Sequence, residues 1–182
     1  MHDLKNVRWK AVCPLLLIAI LLGGVIWIPP LHASQIVDAT GSTIDLPDSP
    51  KRVVSLVPAM TQILFALGAG DAIQGRTWHE TYPPETAGKT VVGGFFSPSA
   101  DRIAALDPDV IFVSSLHKAV RERFSDGPCR LVELHSNSIE DVCRNIEQLG
   151  AVFHDREAAA ALISRIRGAL QPRQVPQPRH FD

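Results

Sequence analysis

The sequence predicts an α/β fold, a Rossmann-like lobe in which a mostly parallel sheet is flanked by helices. Short apolar runs, of which residues 110–113 are the clearest, are each bounded by turn residues, as in strands buried on both faces. Segments with apolar residues at helical spacing alternate with these runs, and such alternation is typical of layered α/β folds. The chain has 182 residues, of which 46% are hydrophobic, and a chain of this length is enough to build one core.

The elements follow one another along the chain. Residues 35–46 are predicted to form a hairpin, because apolar residues flank a polar turn that contains Gly41. Further strands are predicted at residues 52–57, 72–75, 91–92, 110–113 and 131–134. Helices are predicted at residues 61–67, 99–106, 118–124, 138–150 and 156–170, with Ser99 and Ser138 as N-caps. The polar, Pro-rich residues 78–88 are predicted to be a loop.

The N-terminus is predicted to be an export signal. Three basic residues precede an uncharged stretch over residues 11–28, and a Pro pair and the small residue Ala33 follow it. This is the pattern of a signal peptide over residues 1–33 that is cleaved after Ala33. Eighteen apolar residues can also cross a bilayer, so an uncleaved anchor over residues 11–28 is the alternative. Both place the rest of the chain outside the cytoplasm.

Composition excludes several classes of function. A net charge of -1 without a Lys/Arg run argues against nucleic-acid binding. Three cysteines without a CxxC motif do not make a disulfide scaffold or a zinc ribbon, although Cys129 and Cys143 are either bridged or separate buried thiols. Ser115 and His117 lack both a GxSxG elbow and an acid placed to orient a base. The chain is therefore not expected to be an enzyme.

Four loops are expected at the carboxyl edge of the sheet, where ligands bind in open α/β folds. They cover residues 58–61, 78–82, 94–98 and 114–117. The second and third contain four aromatic residues, namely Trp78, Tyr82, Phe95 and Phe96. Flat rings beside a few polar groups suit a large, partly apolar ligand. The alternative for Phe95 and Phe96 is that they only cap the edge of the sheet.

Direct binding of a Zn, Mn or Fe ion is an alternative function. Nitrogen and oxygen ligands are offered by five residues, namely His79, Glu80, His117, His135 and His154. These residues lack a tight ligand spacing such as HxxxH, and a metal site needs several converging ligands. Most of them are therefore interpreted as solvated or hydrogen-bonded side chains. His79 and His117, both on cleft loops, are the two that merit a test.

Residues 52–71, with the sequence RVVSLVPAMTQILFALGAGD, resemble the opening of the helical-backbone periplasmic binding proteins. These proteins serve ABC importers of vitamin B12, ferric siderophores and haem. Segments at residues 82–85, 92–99 and 103–111 follow in the family's order, and the resemblance covers residues 35–170. It implies a periplasmic protein whose partners are the permease and ATPase subunits of an importer. Its ligand would be a small-molecule metal chelate, a cobalt corrinoid or a ferric chelate, and it would need no cofactor of its own.

The resemblance also implies a ligand site. Trp78 and Phe95 match aromatic ligand-contact positions in the vitamin B12 binders. The full set of expected ligand contacts is Met60, Thr61, Trp78, His79, Tyr82, Phe95, Phe96, Ser97, Ser115 and His117. Asp101 matches a surface carboxylate that docks onto arginines of the permease, although the family usually has Glu at this position. Gln62 is a second departure, because the family often has Glu after the Thr.

The family has a second lobe after its connecting helix, and this sequence stops near that helix. The expected organisation is an N-terminal lobe at residues 34–154, the start of the interlobe helix at residues 155–171, and a disordered tail at residues 172–182. The chain is then expected to be a fragment, a truncated product, or a lobe that works alone. One lobe offers half of the cleft, so weak or no binding is expected. A membrane-anchored lobe that binds no ligand is a further alternative.

Overall fold

The computed structural model of the chain describes residues 34–170. The predicted signal or anchor at residues 1–33 and the predicted tail at residues 172–182 lie outside these residues. Among residues 34–170, no helix combines the length and the apolar character that a membrane crossing requires.

The strands form a hairpin and a parallel sheet. The antiparallel hairpin consists of β1 (Ser34–Val37) and β2 (Thr43–Leu46), as the sequence predicts. The sheet consists of β3 (Val53–Ser55), β4 (Ile73–Arg76), β5 (Thr90–Val91), β6 (Val110–Val113) and β7 (Arg130–Glu133). Its order is β5-β4-β3-β6-β7, and all neighbouring strands are parallel. The α/β fold class with a parallel sheet is confirmed.

Within residues 34–170, five α-helices connect or follow these strands. They are α1 (Pro58–Ala66), α2 (Ala100–Ala104), α3 (Lys118–Phe124), α4 (Ile139–Val152) and α5 (Arg156–Ala169). Helix α1 begins at Pro58 rather than at Thr61, because proline is well suited to the first helical position. A 3₁₀-helix at Pro84–Gly88 interrupts the predicted loop at residues 78–88. Ser138 caps α4 in a reciprocal capping box with Asp141, as the sequence predicts.

Alternating residues of the central strands build a separate core on each face of the sheet. Val53, Val110 and Phe112 pack on the face that is covered by α1, α4, α5 and the hairpin. Ile111 and Val113 pack on the other face, under α2 and α3. Because both faces are covered, β6 is buried along its whole length, which explains its unbroken apolar sequence.

The two described cysteines lie in different cores. Cys143 belongs to the face under α1 and α4, whereas Cys129 belongs to the opposite face. Both are free thiols, so the alternative of two separate buried thiols is correct. Burial raises the pKa of the Cys129 thiol to about 12, and a neutral thiol of this kind is unreactive.

The parallel arrangement brings several loops to one edge of the sheet. The loop at residues 77–80 follows β4, residues 92–98 follow β5, and residues 114–117 follow β6. Between β5 and β6 the chain crosses from one side of β3 to the other. In open α/β sheets, ligand crevices form where the strand order reverses in this way. These three loops are called the edge loops below.

Candidate ligand-binding site

Hydrogen bonds join the three edge loops. The Trp78 amide, after β4, donates to the Gly93 carbonyl after β5 at 3.0 Å. The His117 ring, after β6, is bonded through Nε2 to the Phe95 carbonyl at 2.8 Å. The loop after β5 is therefore held on both sides, and the three loops form one surface.

Trp78 lies over the backbone of Gly94. A Cβ atom placed on Gly94 would come within 2.7 Å of Cζ2 of the indole, so only glycine allows this close approach. The indole Nε1 donates to Nε2 of His79 at 3.0 Å. The Trp78 side chain is still 56% exposed. Its ring is thus positioned by neighbours on one side and open to solvent on the other.

Phe95 and Phe96 continue this aromatic surface. Their rings meet edge to face, with centroids 5.0 Å apart. The half-buried Phe95 ring also contacts the His117 ring at 5.0 Å, whereas Phe96 is 81% exposed. Capping the sheet edge therefore explains part of the Phe95 environment and none of the Phe96 environment. Trp78, Phe95 and Phe96 are called the aromatic rim.

Tyr82 has a different environment. It lines a groove of about 550 Å³ beside α1, together with Phe65 and Lys89, and its side chain is 66% exposed. The structure thus gathers Trp78, Phe95 and Phe96 at the edge loops and directs Tyr82 toward α1.

His117 is a support for the rim rather than part of its surface, which corrects its expected ligand contact. Its side chain is only 2% exposed. Nδ1 accepts a hydrogen bond from the Ser114 amide at 2.9 Å, so the proton of the neutral ring lies on Nε2 and is donated to Phe95. Burial lowers the pKa of His117, which favours this neutral form. With both nitrogens used, the ring has no free position for a metal ion or a ligand.

Thr61 is also buried, and it bonds to a residue that the expected ligand contacts did not include. The Thr61 hydroxyl donates to the carboxylate of Glu80, and the Thr77 hydroxyl donates to the same carboxylate at 3.1 Å. Glu80 is 2% exposed, and burial raises its pKa. Since Glu80 directly follows Trp78 and His79, this network fixes the loop after β4 to helix α1. Thr61 is corrected from a ligand contact to a structural anchor.

Met60 is in the hydrophobic core, which corrects the third expected contact. It is 1% exposed and packs with the buried residues Ile63, Leu64 and Leu67. These positions are spaced i, i+3, i+4 and i+7, which is one face of a helix. Because α1 begins at Pro58, Met60 belongs to its core face and not to a preceding loop.

The remaining polar residues of the expected site are at the surface. His79, Ser97 and Ser115 are exposed. The Phe95 amide lies 3.4 Å from Nδ1 of His79, but a neutral imidazole accepts only one hydrogen bond and the Trp78 contact is shorter. Across residues 34–170, His, Cys, Asp and Glu form no group of three that is able to hold a metal ion. The direct metal-ion alternative is therefore not favoured by this arrangement.

Asp101 lies apart from the rim, in the first turn of α2. Ser99 caps that helix by accepting from the Arg102 amide at 3.3 Å, and the Asp101 side chain is exposed to solvent. A carboxylate on the first turn is favoured by the helix dipole. Its position makes Asp101 accessible to another protein.

Comparison with known proteins agrees with this fold. Residues 53–174 match the sequence family described as periplasmic binding protein. A Bacillus subtilis protein named as an uncharacterised ABC transporter substrate-binding lipoprotein, YvrC, is 28% identical over 74% of this chain and 44% of its own length. A cobalamin-binding protein of Halobacterium salinarum is 30% identical over 71% of this chain and 36% of its own length.

Solved structures share the architecture. The petrobactin-binding protein YclQ of Bacillus subtilis superimposes with a TM-score of 0.66 at 20% identity, covering 76% of this chain and 51% of that one. The vitamin B12 binding protein BtuF of Vibrio cholerae gives 0.57 at 23% identity, covering 69% of this chain and 50% of that one. The chain thus spans about half of these structures, and 36 to 44% of the two sequence relatives above. Because the family match extends over well more than half of its residues, the chain belongs to the periplasmic binding protein family.

Proposed function

We propose that this chain is a substrate-binding component of an ABC importer for a metal chelate, a corrinoid or a ferric chelate. The observation that carries the proposal is the aromatic rim, three ring systems held by buried supports at the carboxyl edge of the sheet. Relatives named as cobalamin-binding and vitamin B12-binding proteins support this ligand class. Export to the periplasm and a permease and ATPase as partners are part of the same proposal.

The proposed mechanism is capture without covalent chemistry. Covering an exposed aromatic side chain contributes about 1.5–3 kcal/mol through the removal of apolar surface from water. Hydroxyl groups of Ser97 and Ser115, both exposed beside the rim, would orient polar groups on the ligand. Residues 34–154 would form the binding lobe, and α5 would be the first part of a helix that leads to a second lobe. A lobe alone covers only part of a ligand, so the expected affinity is weak.

Fluorescence of Trp78 tests this proposal directly. In the full chain, replacing Trp9 and Trp27 by Phe leaves Trp78 as the only tryptophan. This reporter variant is titrated with cyanocobalamin, a ferric siderophore and haem, with correction for absorption by the coloured ligands. Saturable quenching by at least one of them is expected, because each would cover the exposed indole. The absence of quenching by all three, in a chain that circular dichroism shows to be folded, would contradict binding by this chain.

Two substitutions locate the binding surface. Trp78→Ala and Phe95→Ala are each expected to weaken ligand binding about tenfold, since each removes one aromatic contact. Binding of these variants is measured by equilibrium dialysis, which does not depend on the fluorophore. Val37→Ala is the matched control, because Val37 is 46% exposed and lies on the hairpin rather than on an edge loop. Unchanged affinity in both aromatic variants would remove the rim as the ligand site.

Asp101 is proposed to dock the loaded protein onto the permease. Asp101→Arg is expected to abolish ligand uptake in cells while leaving ligand binding unchanged, because the exposed carboxylate lies on α2 and outside the rim. Asp71→Arg, which reverses another exposed carboxylate, is the control for a general charge effect. Normal uptake by the Asp101 variant would refute the docking role.

A further inference from the structure

The edge loops have an unusual charge content. Residues 77–80, 92–98 and 114–117 contain no Lys, Arg or Asp and only one Glu, which is Glu80. Glu80 is 2% exposed and bonded to two threonines, so it does not face the rim. The surface that the aromatic rim presents is therefore made of rings, hydroxyls and backbone, with His79 as its only titratable group.

Basic residues flank the edge loops and lie outside them. Arg76, directly before the loop after β4, donates to the Thr86 carbonyl at 2.6 Å and to the Thr77 carbonyl at 2.9 Å. Lys118, directly after His117, lies 3.8 Å from the Glu122 carboxylate on the same helix. Arg121 pairs with Glu133 at 2.5 Å. Arg76 and Arg121 are held by these contacts, whereas Lys118 is 84% exposed and makes only a surface pair.

Helix dipoles are a second source of positive potential at this edge. The N-terminus of α1 lies there, and helix N-termini attract anions. In this fold the buried carboxylate of Glu80 accepts from Thr61, in the first turn of α1. The Glu80 carboxyl group thereby occupies the N-terminal end of the helix. Neither side chains nor this helix dipole supplies a strong anion site at the rim.

We propose that the aromatic rim selects metal chelates by charge, binding complexes without net negative charge and discriminating against polyanionic ones. This inference rests on the proposed function and narrows its ligand class. An anion that is moved from water to a surface of rings and hydroxyls loses hydration, and the edge loops contain no Lys or Arg to compensate for the loss. A neutral complex pays no such penalty, and its apolar edges gain from contact with the rings.

Three probes of different charge test this proposal on the reporter variant described above. They are cyanocobalamin, a neutral ferric trihydroxamate and a polyanionic ferric tris-catecholate. At least one neutral probe is expected to bind about tenfold more tightly than the tris-catecholate, with little dependence on ionic strength. Equal or tighter binding of the tris-catecholate would overturn charge selection and leave the proposed function intact. Binding of none of the three would overturn both.

A charge-insertion variant gives an independent measurement. Ser115 is exposed on the loop after β6, so Ser115→Lys adds a cation beside the rim. The affinity for the tris-catecholate is expected to rise about fivefold and to fall again as salt is added, as for a solvent-exposed charge pair. Ser115→Gln measures the effect of added length without charge. Equal affinities of the Lys and Gln variants for the tris-catecholate would show that the lack of positive charge does not weaken its binding. This result would contradict the proposal.

Discussion

Four side chains of the edge loops invert the usual distribution of polarity between inside and outside. Their polar residues Glu80 and His117 are each 2% exposed, whereas their aromatic residues Trp78 and Phe96 are 56% and 81% exposed. The buried polar groups bond to one another and to backbone, and residues 34–170 contain no buried side-chain nitrogen or oxygen without a partner. Exposed aromatic rings of this kind are typical of surfaces that bind another molecule.

The buried supports, Glu80 and His117, and the exposed aromatic rim are expected to have different roles. Supports such as Glu80 hold a loop in one conformation, so replacing them is expected to lower the free energy of unfolding. In the proposed function, rim residues such as Phe96 gain contacts only when a ligand binds, so replacing them is expected to weaken binding. Substitutions of matched residues in the two layers therefore test whether this separation holds.

The largest effect is expected from removing the buried carboxylate. Glu80→Ala leaves the hydroxyls of Thr61 and Thr77 without their acceptor and opens a cavity beneath the loop after β4. We expect the free energy of unfolding of the full chain to fall by about 3 kcal/mol, measured by urea denaturation.

Glu85 provides the control for that substitution. It is exposed on the 3₁₀-helix Pro84–Gly88, so Glu85→Ala is expected to change the free energy of unfolding by less than about 0.5 kcal/mol. Equal effects of the two substitutions would show that the Glu80 network does not support the loop.

The opposite pattern is expected on the rim. Phe96→Ala is expected to weaken ligand binding about tenfold, because a ring available for contact is lost. Its effect on stability is expected to stay within about 0.5 kcal/mol, since the ring is 81% exposed. Equilibrium dialysis and urea denaturation of the same preparation measure both quantities.

Phe95 has an intermediate position and sharpens the contrast. Its ring is half-buried against His117, so Phe95→Ala is expected to lose stability as well as affinity. A Phe96 variant that is as destabilised as the Phe95 variant would contradict the separation of supports from rim.

Local signals in the sequence predict most of the fold. The strand at Val110–Val113 and the helix at Lys118–Phe124 have the predicted bounds, because an apolar run between turn residues and a helical periodicity are both local patterns. The capping box of Ser138 is local as well. These elements could be predicted because each depends on residues within one or two turns of chain.

The site was only partly predictable, since its supports depend on pairs that are distant in sequence. The aromatic residues of the rim were expected from their loops. The bond between Thr61 and Glu80 joins residues 19 positions apart, and neither residue carries a local signal for it. The difference between the expected and the observed position of Met60 has a local cause. Starting α1 at Pro58 adds Met60 to the pattern of Ile63, Leu64 and Leu67, which would have placed it in the core.

A pH effect is expected from the other buried support. Burial lowers the pKa of His117 from its ordinary value of 6.5, an effect that Arg121 reinforces and that the Phe95 hydrogen bond and Glu133 oppose. The folded state therefore binds a proton less readily than the unfolded state does. Stability contributed by neutral His117 is present above pH 6.5 and is lost as the pH falls toward the folded pKa.

Urea denaturation of the wild type and of His117→Gln at neutral and mildly acidic pH isolates this contribution. The glutamine side chain has no titration, so its variant is expected to lose less stability on acidification than the wild type loses. Because protonation removes the acceptor for the Ser114 amide, the Phe95 loop should loosen at the same time. Parallel pH profiles for the two proteins would contradict a neutral His117 as the support.

The smallest effect is expected at Gly94, whose backbone lies against the Trp78 indole of the aromatic rim. A methyl group at this position would lie 2.7 Å from the Trp78 ring, so Gly94→Ala is expected to tilt the indole without unfolding the loop. The expected result is a shift in Trp78 emission in the reporter variant and about threefold weaker ligand binding. Gly88→Ala is the matched control, because nothing lies within 4 Å of a Cβ at that position. If Gly94→Ala leaves both emission and affinity unchanged, the indole is not seated on the glycine. The rim would then be a mobile surface, and the buried supports would not determine its binding geometry.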